Sequence, residues 1–173
     1  MLFAPIPKHD EDRVSALHDL AILDTPPEER FDAITKSATE YLRAPISTIS
    51  LIDRDREWYK SRRGIEVSEG KRSISFCGHT LFSSKIFIVE DTLQDDRFSD
   101  NPYVAGTPHI RAYMGVTLHD RRSKQPIGVF CVKDVKPRHF EPADVTSFIR
   151  LAKKAEEELN AEILKHAKPK SSI

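Results

Sequence analysis

Apolar residues recur along the chain with two periods, and the change from one to the other separates helices from strands. Residues 11 to 22 place Val14, Leu17 and Ala21 at helical spacing, which predicts a short amphipathic helix ending in LDTPPEE. In that segment Thr25, Pro26, Pro27 and Glu28 have the Thr-x-x-Glu form of a capping box, with proline at the first helical position, so a second helix is expected to start here. Phe31, Ile34, Ala38 and Tyr41 or Leu42 form its apolar stripe, down to about Arg43, before Pro45 stops it.

The period then shortens. ISTISLID (46–53) is rich in β-branched residues, and EWYKSRRG (57–64) follows the polar turn DRDR, which predicts a hairpin whose Trp58 face is a candidate pocket wall. FCGHTLFSS (76–84) is short and weakly helical, and KIFIVED (85–91) reads as a strand. The stretch 92–111 is irregular, with Asp95, Asp96, Asp100, Pro102, Gly106 and Pro108. So long a segment without regular structure inside a compact domain reads as a lid or binding loop.

AYMGVTLHD (112–120) alternates Ala112, Met114, Val116 and Leu118 on one face. PIGVFCVKDV (126–135) puts Ile127, Val129 and Cys131 on one face and Phe130 and Val132 on the other, and the polar RRSKQ between the two runs makes a hairpin. HFEPAD announces the last helix, with Glu141 as cap, Pro142 in the first turn and Phe140 stapling onto Val145. It is expected to run to about Lys168. Phe148, Ala152, Ala155, Leu159 and Ile163 form a narrow seam suited to pairing with another helix.

This order of elements predicts an α+β domain, a mixed antiparallel sheet flanked by N- and C-terminal helices. We divide the chain into an N-terminal extension (1–9), the domain (10–160), and the end of the C-terminal helix with a disordered tail (161–173). The 173 residues suffice for one domain with a core that needs no disulfide or metal. Lys plus Arg and Asp plus Glu are both 27, so nothing in the net charge draws the chain to nucleic acid or an anionic membrane. No apolar run reaches the roughly 18 residues of a membrane span, and the N-terminus lacks the basic and apolar regions of a signal peptide, so a cytoplasmic location is expected. In that reducing setting the distant Cys77 and Cys131 are not expected to form a structural disulfide. A single Cys-x-His also supplies too few ligands for zinc.

LAILDTPPEERFDAIT, ISLIDRDREWYKSRRGI, ISFCGHTLF, IVEDTLQDDRFSDNPYVAGTPHIRAYMGVTL and IGVFCVKDVKPRHF together resemble the GAF domain family, in particular the sensor modules of bacterial histidine kinases and diguanylate cyclases. The likeness covers roughly residues 10 to 160. It implies a GAF/PAS-like fold, a ligand pocket between sheet and loops, and a homodimer through the terminal helices. It also implies a place in two-component signalling, with a histidine kinase or cyclase as effector, supplied by a separate partner or by a longer protein.

The chemistry-bearing residues allow several readings. Cys77 beside His79 is a reactive thiol, a pigment attachment point or a pocket lining. The GAF proteins that reduce free methionine sulfoxide carry further cysteines whose pattern is not matched here, and bilin-binding relatives attach pigment on a segment nearer the C-terminal side of the lid. Packing of Cys77 as a small hydrophobe is the simplest alternative. Asp91, Asp95, Asp96 and His109 suit a cation or ligand amine, or satisfy their own backbone as Asx-turns. Trp58, Tyr59, Phe76, Phe98, Tyr103, Tyr113 and Phe130 suit a partly apolar ligand or plain core. Arg111 beside His109 suits an acidic ligand group, or a lid aspartate. The Asn-Lys and Phe-x-x-x-Asp-Glu pattern of cyclic-nucleotide-binding relatives is absent.

The candidate ligand-binding set is therefore Trp58, Phe76, Cys77, His79, Asp91, Asp96, Phe98, Tyr103, His109, Arg111, Tyr113 and Phe130, with no catalytic residue, metal or cofactor assigned. The leading expectation is a non-enzymatic sensor binding an unidentified small molecule. The alternatives are a thiol-dependent reductase of free methionine sulfoxide using Cys77, and an interaction domain with a filled pocket.

Overall fold

The structure, a computed structural model, describes the backbone of residues 1–166 and the side chains of residues 1–161. The expected tail and the side chain of Ile163 lie outside the described residues. The helices are α1 (Asp10–Asp19), α2 (Glu29–Leu42), α3 (Phe76–Thr80), α4 (Pro102–Ala105) and α5 (Pro142–His166). The strands are β1 (Ile46–Ile52), β2 (Arg56–Arg63), β3 (Glu69–Lys71), β4 (Phe87–Val89), β5 (Ala112–His119) and β6 (Pro126–Asp134). They form one sheet in the order β3-β2-β1-β6-β5-β4. Every pairing is antiparallel, and with the flanking helices this is the expected α+β domain.

Alternation along the strands divides the core in two. On one face Ile49, Leu51, Trp58, Ala112, Met114, Phe130 and Val132 pack with α1, α2 and α5, and the Phe130 and Phe148 rings stack 4.7 Å apart. On the other, Ile52, Tyr113, Val129 and Cys131 pack under α3 and the 92–111 segment, which contributes Phe98, Val104 and Ile110. Ile127 departs from the expected alternation and joins the helix-side cluster. The β5–β6 register slips between Leu118 and His119, so Leu118 faces Gly128 while His119 faces Pro126, and the extra residue is Ile127.

α2 starts later than the capping-box reading expects. Glu28 is its N-cap without a side-chain bond, and Thr25 donates to the Ile22 carbonyl instead. A buried lysine explains the difference. Lys60 Nζ is bonded to Thr25 Oγ1 and the Pro26 carbonyl, both at 2.8 Å, and to Glu28 at 2.6 Å, so the TPPE segment is an ammonium clamp rather than a helical turn. Leu42, not Tyr41, is the buried end of the α2 stripe.

α5 opens at Pro142 as expected, with Asp144 accepting from the Glu141 amide at 3.1 Å. Its seam residues Phe148, Ala152, Ala155 and Leu159 are buried in the domain's own core, where the sequence reading expected them to face another helix. Nor does the segment before α1 stand free. The Leu2 amide donates to the Arg97 carbonyl at 3.2 Å and the Ala4 amide to the Ser73 carbonyl at 2.9 Å. Segment 92–111 is ordered too, containing a 3₁₀ turn (Thr92–Gln94) and α4, which the buried Asn101 caps while its side-chain amide donates to the Ile74 carbonyl at 2.9 Å.

Candidate functional site

A cavity of about 500 Å³ lies beside the β1–β2–β6 part of the sheet. Its floor is Ile46, Tyr59 and Lys133; one wall is the 64–67 turn with Ile65 and Val67; the other is Tyr103, Thr107, Pro108 and Ile110. Gly64 makes the first wall possible. It has φ of +77°, and a Cβ there would come within 2.0 Å of the Pro45 carbonyl oxygen. On the opposite side, the Tyr103 and Tyr59 hydroxyls converge over Gly70, where a Cβ would lie 2.9 and 3.4 Å from them.

Lys133 is the unusual member. Its residue is 6% exposed, it lines the cavity, and its ammonium has no hydrogen bond or ion pair among the described residues. Its nitrogen lies 6.0 Å from the centre of the Tyr59 ring. Burial opposes its charge, but the fields of Cys131 and Glu57 outweigh burial and hold its pKa well above the ordinary lysine value. Glu57, projecting from β2, is 1% exposed, and its Oε1 has no hydrogen-bond partner. Burial and the Glu57 carboxylate push the Tyr59 hydroxyl up, and burial does the same to Tyr103, so both are neutral hydrogen-bonding groups.

Of the residues expected to bind ligand, Tyr103 lines this cavity and the others are placed elsewhere. Trp58 and Phe130 are on the helix-packed face, because strand alternation turns them away. Phe76, Phe98 and Tyr113 fill the space under α3: Phe76 stacks on Phe98 at 4.3 Å and on Tyr113 at 5.2 Å. Asp91 is held by Arg111, 2.9 Å from its Nη2, and caps the Leu93 amide. Asp96 and His109 are exposed, and Asp95 is taken by Arg97. Among the described residues no group of three or more His, Cys, Asp or Glu is arranged to hold a metal ion.

The SFCGHT segment also resolves. On α3, positions two apart point to different sides. Cys77 faces the sheet, while His79 Nε2 donates to the Leu2 carbonyl at 3.1 Å and its ring meets Phe98 edge-on. Burial lowers the His79 pKa. Cys77 instead meets Cys131, sulfur to sulfur at 3.7 Å, with the Tyr113 hydroxyl 3.4 Å away. Burial and its neighbour Cys131 push the Cys77 thiol well up. For Cys131 burial acts in the same direction, but the Cys77 hydrogen bond, the field of Lys133 and the Thr48 hydroxyl bring it down to about 7.

Lys133 and Glu57 were missed by sequence reasoning. The signal was present, since Lys133 continues the Val129, Cys131 alternation of a buried face, where a charge is out of place.

A sheet packed by α1, α2 and α5 on one face and by α3 and the 92–111 segment on the other defines an α+β domain with a cavity beside the sheet. The model of the GAF domain matches residues 26–159, and the chain belongs to the GAF domain family. It is 35% identical over 138 residues to a cyclic di-GMP phosphodiesterase of Pseudomonas aeruginosa, which covers 80% of this chain but only 23% of that protein. Among solved structures, the GAF domain of the Acinetobacter phosphoenolpyruvate-protein phosphotransferase matches at TM-score 0.62 and 18% identity, covering 96% of this chain and 100% of that one. The free methionine-R-sulfoxide reductase of Neisseria meningitidis, solved with its substrate, matches at 0.64 and 15%, covering 95% and 98%. The blue-light-absorbing PixJ domain of Thermosynechococcus elongatus matches at 0.62 and 13%, covering 88% and 91%. At these identities the structural likenesses define the fold alone.

Proposed function

We propose that this domain is a regulatory module, not an enzyme, which binds a small molecule in the cavity beside Lys133. The observation that carries this reading is the cavity itself: about 500 Å³, walled by apolar side chains and two tyrosines, with one uncommitted ammonium. That is the make-up of a ligand site, mostly apolar with a few convergent polar groups. Lys133 sits near the end of β6, and the chain runs from there through residues 135–141 into α5 on the other face of the sheet, so β6 is the covalent link from the cavity to the helix that would carry the signal. A ligand shifts the arrangement of that helix only to the extent that it binds two arrangements with different affinity. The effector is proposed to be a histidine kinase or an enzyme of cyclic di-GMP metabolism, the latter because of the relative described above. The setting is proposed to be the bacterial cytoplasm; no described helix is long and apolar enough to cross a membrane. A homodimer through the terminal helices would use the outer face of α5, where Ile149 is exposed.

Native mass spectrometry after incubation with a bacterial small-molecule extract tests the reading. We expect a noncovalent adduct that the cavity-filling variant Ile110→Trp does not form. An adduct of equal intensity on both proteins, or none on either, would refute it.

The proximity of Cys77 and Cys131 favours one second reading, reduction of free methionine sulfoxide. Against it stand the complete burial of both sulfurs and the raised pKa of Cys77. Incubation with methionine sulfoxide and a thiol reductant is expected to give no methionine; turnover lost in Cys77→Ala would establish the reductase instead.

A further inference from the structure

We propose that the cavity takes a small organic monoanion, a molecule whose single carboxylate is bound by Lys133 and whose apolar body fills the space between Tyr59, Tyr103 and Ile110. The proposal rests on the reading of the cavity as a ligand site and adds the chemical class of the ligand.

Buried charges in proteins are paired, because an ion taken from water without a partner is strongly unfavourable. The other buried cations of the described chain obey this: Lys60 has Glu28, Thr25 and Pro26; Arg13 has Asp10 and the Ile52 carbonyl; Arg72 has Asp10. Lys133 alone among them has no direct hydrogen bond or ion pair: Cys131 and Glu57 act on it only through their fields, and its ammonium is at the wall of an open space. The complementary group for it is an anion supplied from that space.

The number of charges follows from the surroundings. Lys133 is the one basic residue lining the cavity, and the other charged lining residue is the carboxylate Glu66. Glu57 adds a second carboxylate, buried near enough for its field to act on Lys133. A ligand with two or more negative charges would place the excess against carboxylates with no base to receive it, which disfavours phosphate esters and nucleotides. A carboxylate brings one charge and two acceptor oxygens, which an ammonium and nearby tyrosine hydroxyls can share. The remaining walls, Ile46, Ile65, Val67, Pro108 and Ile110, call for an apolar body.

The test is a titration of the whole chain, followed by ¹H–¹⁵N spectra, with phenylacetate, hexanoate and indole-3-acetate, with the corresponding amides, and with phenyl phosphate. At least one carboxylate is expected to shift the Tyr103, Ile110 and Lys133 amides saturably, with its amide and phenyl phosphate binding at least tenfold more weakly. Lys133→Met is expected to abolish the preference for acid over amide. That variant leaves Glu57 without its opposite charge, so Lys133→Met/Glu57→Gln, which removes both, is the control for folding and is expected to show the same loss. Equal binding of acid and amide, tighter binding of phenyl phosphate, or a preference that survives in a folded Lys133 variant would overturn the monoanion and leave the cavity as a ligand site. If no probe shifts a cavity amide, both the monoanion and the ligand site are refuted.

Discussion

Asp10 shows how far single residues here are committed to structure. Its carboxylate receives Arg13 at 2.7 Å and Arg72 at 2.8 Å, tying α1 to the segment before α3. Burial acts to raise the Asp10 pKa, but the hydrogen bonds of Arg72 and Arg13 outweigh it and the pKa is lowered below the ordinary 3.8. A lowered carboxylate pKa contributes stability that is present above the unfolded value and lost as pH falls through the folded one. Acid unfolding below about pH 4 is therefore expected to have an Asp10 contribution, absent in Asp10→Asn. At pH 7 Asp10→Ala, which leaves two buried guanidinium groups uncompensated, should lower unfolding free energy by about 3–5 kcal/mol. Urea titrations at pH 7 and pH 3.5 measure both, and an unchanged midpoint at pH 7 would contradict the network's role. The thiols make the opposite case. Cys77 and Cys131 are fully buried, so a bulky alkylating reagent at pH 7 is expected to leave both unmodified in the native protein and to modify both in denaturant. Rapid native labelling of Cys77 would reopen its catalytic reading.

Among the elements, α5 decides between two uses of one apolar pattern. Its seam at Phe148, Ala152, Ala155 and Leu159 has the spacing of a helix-pairing surface, and spacing alone cannot tell a partner helix from the domain's own sheet and α2. The structure gives it to the core. Leu159→Ala is expected to cost about 2–5 kcal/mol in urea unfolding with no change in sedimentation mass; a change in mass without loss of stability would return the seam to an interface. Strand patterns were easier to read, since β1, β5 and most of β6 follow plain alternation. What escaped was set by distant contacts: the late start of α2 depends on Lys60, 35 residues along the chain from Thr25, and the direction of Ile127 depends on a register slip with β5. Gly64 belongs to this scale as well. Gly64→Ala meets both a left-handed backbone and the Pro45 carbonyl, so it is expected to destabilise the fold by more than about 1 kcal/mol and to weaken ligand binding through the displaced 64–67 wall.

In the whole molecule, fold and site were legible to different degrees for one physical reason. The fold follows from which face of each element is apolar, and that is written in short periodic stretches. The cavity is where β1, β2 and β6, the 64–67 turn and the 92–111 segment meet, so no stretch contains it. Aromatic residues pointed to it poorly because most of them were needed for packing: Phe76, Phe98 and Tyr113 under α3, Trp58 and Phe130 under the helices. A lysine in the apolar alternation of β6 was the better pointer. The central claim is that this cavity binds a small molecule and passes its occupancy through β6 to α5. Hydrogen–deuterium exchange of the whole chain, with and without a saturating ligand from the native mass-spectrometric screen, tests it most directly. The account predicts protection at 64–67 and 103–110, continuing along Pro126–Asp134 into the first turns of α5. Protection confined to α3 around Cys77, or absent from β6, would contradict it.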